Sequence, residues 1–213
     1  MKHLLIIGAR GFGRECLWMA LHTREYNNKI YDIKGFLDSN SHALDNLKGD
    51  FPPILGSVEE YKIQPDDVFF CAMGDPQWRK HYADMIEARG GKFISLISPL
   101  AIISPNATIL PGCSIGSNII ISDNVTIGRH VMIHSFCSLG HDCHVDDYAS
   151  LESYVFVAGY ASVGKMSVMH PKSMLIAHKS IGDNVIVGAA SVVMRNIKDG
   201  LHVHGNPAVK FEY

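Results

Sequence analysis

From residue 103 to residue 193 every sixth residue is aliphatic: Ile103, Ile109, Ile115, Ile121, Ile127, Ile133, Leu139, Val145, Leu151, Val157, Val163, Met169, Leu175, Ile181, Val187 and Val193. If about three residues in ten were suitable, sixteen in succession would arise by chance with a probability on the order of 10⁻⁸. An amphipathic helix would show partners three and four residues on, and a half-buried strand would alternate, so neither explains a period of six. A second slot, four residues further on, is small or β-branched: Ala107, Cys113, Val125, Val131, Cys137, Cys143, Ala149, Val155, Ala161, Ser167 and Ser173. Gly, Asn and Asp fall just after the aliphatic residue, as in Ile115-Gly-Ser-Asn, Ile127-Gly and Ile181-Gly-Asp-Asn, where a tight corner needs unusual backbone angles. Three hexads close a triangular coil of 18 residues, so residues 103 to 193 predict about five coils stacked as a parallel β-helix.

Composition agrees with a packed ladder. The 213 residues are 47% hydrophobic and 19% charged with a net charge of −2, which excludes intrinsic disorder. It also removes any global electrostatic attraction to nucleic acid or an anionic membrane, and neither partner is expected. Five cysteines without a Cys-x-x-Cys pair point to a reduced, cytoplasmic setting. The apolar run Leu4 to Ile7 is broken at once by Gly8, Arg10, Arg14 and Glu15, too short for a signal peptide or membrane span.

Residues 1–97 lack the repeat and form a separate unit. A strand at Lys2 to Ile7 leads through Gly8-Ala9-Arg10-Gly11-Phe12-Gly13 into a helix from Arg14 to His22, an arrangement that brings backbone N–H groups to a phosphate. The spacing G-x-x-G-x-G departs from the dinucleotide fingerprint, and a purely structural turn is the competing explanation. Ile33 to Leu37 predicts a second strand ending at Asp38; Val68 to Met73 a third ending at Gly74-Asp75, followed by a helix from Trp78 to Arg89. Loops at the C-terminal ends of parallel strands are where such sheets bind ligands. Taken singly, Asp38 also reads as a solvated turn residue and Arg79 as a surface helix charge.

The [Ile/Leu/Val]-Gly hexads and the closing Gly205-Asn206-Pro207-Ala208 resemble the left-handed β-helix of hexapeptide-repeat acyltransferases. The segments Ile6 to Glu15, Gly35-Phe36-Leu37-Asp38 and Ala72-Met73-Gly74-Asp75 with Arg79 resemble the front domain of one branch, the sugar O- or N-acyltransferases related to sialic acid O-acetyltransferase and bacillosamine-type amino-sugar N-acetyltransferases. The resemblance covers essentially the whole chain. It implies a Rossmann-like α/β domain over residues 1–97 and a left-handed parallel β-helix with a C-terminal tail over 98–213. It also implies that a nucleotide-linked amino sugar is bound by Gly11, Phe12, Gly13, Asp38, Gly74 and Arg79, the glycine turn near the diphosphate and the acid near the base. The residue after that acid is usually a second Asp; Ser39 replaces it here and leaves the base open.

Gly140-His141-Asp142-Cys143 matches a hexad of this branch in which the His is the general base and the acid orients it. Adjacent residues on a flat strand face opposite ways, so the pair cooperates only if it lies at a corner. The column 18 residues apart puts Gly159 and then Ala177 above His141, small residues that leave room for a thioester, with the Gly159 N–H suited to an oxyanion. Both are expected acyl-CoA contacts. Ser150, nine residues after the base, replaces a common second His, and His134, seven before it, replaces a common Asn and is a candidate substrate contact. Cys137 and Cys143 occupy the inward slot and are expected as core fillers rather than acyl-carrying nucleophiles. The column His134, Glu152, His170 has metal-ligand types, as in the gamma-type carbonic anhydrases, yet no metal is expected. The resemblance thus implies acetyl-CoA as donor, transfer to the amino group of a surface-glycan precursor, and a homotrimer with sites between subunits. The alternatives are O-acetylation of sialic acid or a related sugar, and a non-catalytic sugar-nucleotide-binding protein.

Overall fold

A computed structural model describes residues 1–210. The chain divides into two compact units, Met1–Pro99 and the remainder from Leu100. The first contains β1 (Lys2–Ile7), α1 (Gly11–Leu21), α2 (Arg24–Asn27), β2 (Tyr31–Leu37), β3 (Asp67–Cys71), α3 (Pro76–Ala88) and β4 (Leu96–Ile97). Strands β2, β1 and β3 form a parallel sheet in that order. Leu4 to Ile7 are wholly buried in the central strand, which is why that stretch reads as an unbroken apolar run. Helix α1 starts at Gly11, three residues before the expected Arg14, so the glycine motif supplies its first turn. Helix α3 starts at Pro76, where Asp75 Oδ1 accepts the N–H groups of Gln77 at 2.8 Å and Trp78 at 3.2 Å. Among the described residues no helix is long and apolar enough to cross a membrane.

The second unit is a β-solenoid whose short strands form one sheet on each of three faces, parallel except where Val209–Lys210 runs antiparallel to His202–His204 at the end of one sheet. Strands pair at the predicted spacing of 18, as in Ile133 with Leu151, Leu139 with Val157 and Val145 with Val163. The ladder from Ile115 to Val193 is at most 2% exposed throughout. The small slot is buried as well, and burial pushes the Cys137 thiol up to about 11 and the Cys143 thiol up to about 12, so both are fillers.

Two expectations about the coils need correction. The residue that turns each corner through the left-handed region is not the Gly after the aliphatic residue but the third residue after it: Asn118, Asn124, His130, Phe136, Asp142 and so on to Ala190 all have φ between 55° and 66°. The glycines serve a different need, close approach between coils. A Cβ on Gly140 would lie 2.5 Å from the nitrogen of Gly159, and one on Gly164 2.4 Å from the carbonyl of Gly182. The stack also runs one coil further than the period shows. Ile197 bridges Ile181, and His202–His204 pairs with Ile186 and Val187, at a spacing of 16 that breaks the sixfold series.

Candidate active site

His141 and Asp142 lie at a corner of the solenoid, after the strand Ser138–Leu139. Asp142 adopts φ 59°, and this left-handed turn swings its side chain back beside its neighbour: His141 Nδ1 is 2.8 Å from Asp142 Oδ2. Asn124, one coil below, donates to Asp142 Oδ1 at 2.7 Å. That amide first, then His141, holds the Asp142 carboxyl below the usual carboxylate range, with the Tyr160 hydroxyl adding to both. An ionised acceptor at Nδ1 keeps the proton there and leaves Nε2 with its lone pair. The imidazole meets the Tyr160 ring edge-on at 5.1 Å, and Tyr160 stacks on His178 at 4.8 Å. The His141 side chain is 59% exposed.

Gly159 stands directly over the ring, since a Cβ there would be 3.0 Å from both Cε1 and Nε2 of His141. Its carbonyl accepts from the His178 N–H at 3.2 Å, while its own N–H has no partner among the described residues. The equivalent amides at another corner are capped by a carboxylate from the next coil: Arg129 by Asp147 at 2.7 Å, Lys165 by Asp183 at 2.8 Å and Asp183 by Asp199 at 2.9 Å. At the His141 corner the next-coil residues are Gly159 and the exposed Ala177, which carry no such cap. The sequence therefore leaves a backbone N–H without a carboxylate cap at the His141 corner.

His134 is at the preceding corner, across the strand Ser138–Leu139, and a single chain does not bring it to His141. Above it in the same column His170 Nδ1 lies 3.0 Å from Glu152 Oε2. Among the described residues no group of three or more His, Cys, Asp and Glu side chains is placed to hold a metal ion. Ser150, in the position of the common second His, is 5% exposed.

In the first unit a cleft of about 490 Å³ opens at the C-terminal ends of β1, β2 and β3. Of the expected ligand residues, Phe12, Gly13, Asp38 and Gly74 line it; Gly11 and Arg79 do not. Arg79 is fully buried, its Nη1 donating to the carbonyls of Met73 at 2.8 Å and Gly74 at 3.0 Å, so it shapes the third loop from behind. Asp38 Oδ2 accepts from the Ala9 N–H and Oδ1 from the Asn40 N–H, both at 2.9 Å, which ties the second loop to the glycine turn. Gly13 is required by packing, because a Cβ there would lie 1.9 Å from the Gly8 carbonyl oxygen. Sequence reasoning missed Arg10, Trp78 and Tyr82 in the wall. The signal for the last two is their spacing of four on a helix that begins at the cleft. Asn124 and Tyr160 were findable too, 18 residues either side of Asp142.

Residues 3–86 match the family model of the PglD N-terminal domain, and residues 97–202 that of the GMPPB C-terminal domain. Comparison with curated protein sequences finds no match. Among solved structures, the acetyltransferase domain of PglB from Neisseria gonorrhoeae FA1090 superposes with a TM-score of 0.87 at 24% identity, over 99% of this chain and all of that one. A histidine-to-alanine variant of GDP-perosamine N-acetyl transferase from Caulobacter crescentus, in complex with CoA and GDP-perosamine, gives 0.86 at 22% identity, over 100% of this chain and 98% of that one. WeeI from Acinetobacter baumannii AYE gives 0.75 at 20% identity, over 99% and 100%. These likenesses span both units and establish the architecture expected from the sequence, a Rossmann-like front domain followed by a left-handed β-helix.

Proposed function

We propose that this protein is an acetyl-CoA-dependent N-acetyltransferase acting on a nucleotide-activated amino sugar, with His141 as general base. The observation that carries the reading is the His141–Asp142 hydrogen bond of 2.8 Å at a corner where Gly159 leaves space beside Nε2 and has an uncapped N–H. The whole-chain likeness to a GDP-perosamine N-acetyl transferase that binds CoA and GDP-perosamine supports it. So does the front cleft, whose loops suit a nucleotide rather than a free sugar.

In this reading the neutral sugar amine attacks the thioester carbonyl carbon while Nε2 of His141 takes a proton from the nitrogen. The carbonyl oxygen gains the negative charge and accepts from the Gly159 N–H. Asp142, kept ionised by Asn124 and His141, stabilises the imidazolium. Collapse re-forms the carbonyl, breaks the C–S bond and returns the proton to the departing thiolate, giving the acetamido sugar and CoA. A homotrimer with sites between subunits, and a role in making surface-glycan precursors, complete the proposal.

The test is thiol release from acetyl-CoA over a panel of UDP-, GDP- and dTDP-linked amino sugars, with hydroxyl-only sugar nucleotides beside them. Amine-dependent release is expected, and His141→Ala should lower kcat by about 10²- to 10⁴-fold with an unchanged melting temperature. Near-wild-type turnover in that variant would overturn the assignment. Ligand-induced stabilisation without any CoA release would favour a binding protein instead.

A further inference from the structure

Trp78 is a large aromatic side chain left 56% exposed on the wall of the front cleft. The exposure does not come from a loose position. Its indole lies over the Tyr82 ring at 27° with centroids 6.0 Å apart, and meets the His81 ring at 90° and 5.6 Å. Its backbone is fixed in the first turn of α3, where Asp75 accepts its N–H. Stacked on Tyr82 and still more than half exposed, this flat ring lines the cleft together with Tyr82. The chain's other tryptophan, Trp18, is 62% exposed on α1, pairs with His22 at 4.7 Å and is not part of the cleft wall.

The cleft therefore offers three things together: a planar aromatic surface, the Asp38–Ser39 edge, and the glycine turn with its backbone amides. We infer that Trp78 is the stacking platform for the base of the nucleoside diphosphate held in this cleft, an inference that rests on the nucleotide-sugar reading above. Every nucleobase presents a π-face, whereas the hydrogen-bonding edge needed to tell bases apart is thin here. Both Asp38 oxygens already accept backbone N–H groups, and Ser39 adds no second charge. Stacking rather than edge recognition then carries base affinity, and purine and pyrimidine diphosphates should bind within about tenfold of one another.

The experiment titrates the full chain with UDP, GDP, inorganic pyrophosphate and glucosamine 1-phosphate, following tryptophan emission and calorimetric heat. Both nucleotides are expected to quench emission, with the quench kept in Trp18→Phe and lost in Trp78→Phe. Trp78→Ala should weaken UDP and GDP roughly 10- to 100-fold while pyrophosphate binding and the ligand-free melting temperature stay as in the wild type. Unchanged nucleotide affinity in Trp78→Ala, or a Trp78 quench produced by glucosamine 1-phosphate and not by UDP or GDP, would overturn the platform and leave the nucleotide-sugar reading standing. Failure of both nucleotides to bind the wild type at all would overturn that reading and the platform with it.

Discussion

His141 and Asp142 are neighbours in the chain, an arrangement that defeats cooperation in an extended strand and succeeds here because Asp142 takes a left-handed turn. The 18-residue column made the place of Gly159 above His141 legible by counting, while His141 was singled out as the proposed base by the resemblance of its tetrapeptide. The same column places Asn124 one coil below Asp142, but that its amide donates to the carboxylate is a matter of side-chain geometry that no period encodes. It has a testable consequence. Asn124→Ala removes the main donor holding the Asp142 carboxyl low, so that carboxyl should drift up toward its ordinary value. Even so an ordinary carboxyl, with a pKa of about 3.9, stays ionised near neutral pH. What falls is the hold on the ring, with kcat expected to drop about 3- to 10-fold on loss of positioning. A wild-type kcat in Asn124→Ala would refute this division of labour. Gly159→Ala tests the opposite side of the ring. The added Cβ meets Cε1 and Nε2 at 3.0 Å, so transfer should fall by at least about 10-fold while the melting temperature changes little. Wild-type kcat there would show that the space above His141 is not used.

At the scale of elements, the sequence made the ladder and its inward slot plain and misassigned the glycines. The reason is physical: a glycine is selected both by positive φ and by a crowded neighbour, and a linear pattern cannot separate the two. In the solenoid the neighbours decide. Gly164→Ala would drive a Cβ to 2.4 Å from the Gly182 backbone and force the coils apart, at a cost of about 2–3 kcal/mol. Ala190 is the converse case, an exposed residue at φ 55° with a side chain that gains nothing. Ala190→Gly should stabilise by about 0.5–1 kcal/mol, the left-handed penalty relieved exceeding the entropy glycine adds to the unfolded chain. Urea midpoints measured on both variants should move in opposite directions, and a destabilised Ala190→Gly would contradict the conformational account. The coil count was short for a similar reason. The last turn is closed at a spacing of 16, with Asn196 and Asp199 side chains accepting the N–H groups of Ser180 and Asp183, and a fixed period is blind to that substitution.

For the whole molecule the decisive surface is one face of the prism. On the face built from residues 108, 126, 144, 162 and 180 the outward side chains are Thr108, Thr126, His144, Ser162 and Ser180, all suited to water. On the neighbouring face the outward positions include Ile102, Ile120, Phe156 and Met174, which are 68%, 47%, 36% and 38% exposed in a single chain. Ser138 interrupts the series between Ile120 and Phe156, yet this many exposed apolar side chains on one face ask for cover. This face lies between the corner of His134 and the corner of His141. If three copies turn it toward a common axis, each His141 corner meets the His134 corner of a neighbour, a head-to-tail contact that closes as a ring. Such closure would give His134, which one chain keeps away from the base, a place at the substrate. The double variant Ile120→Glu, Phe156→Glu should therefore shift the sedimenting species from three chains to fewer and abolish acetyl transfer. Nucleotide binding should persist, because the front cleft is built within one unit of one chain. A wild type that sediments as a single chain, or a dissociated variant that still turns over, would place the complete site within the monomer. His134 would then have no part in it.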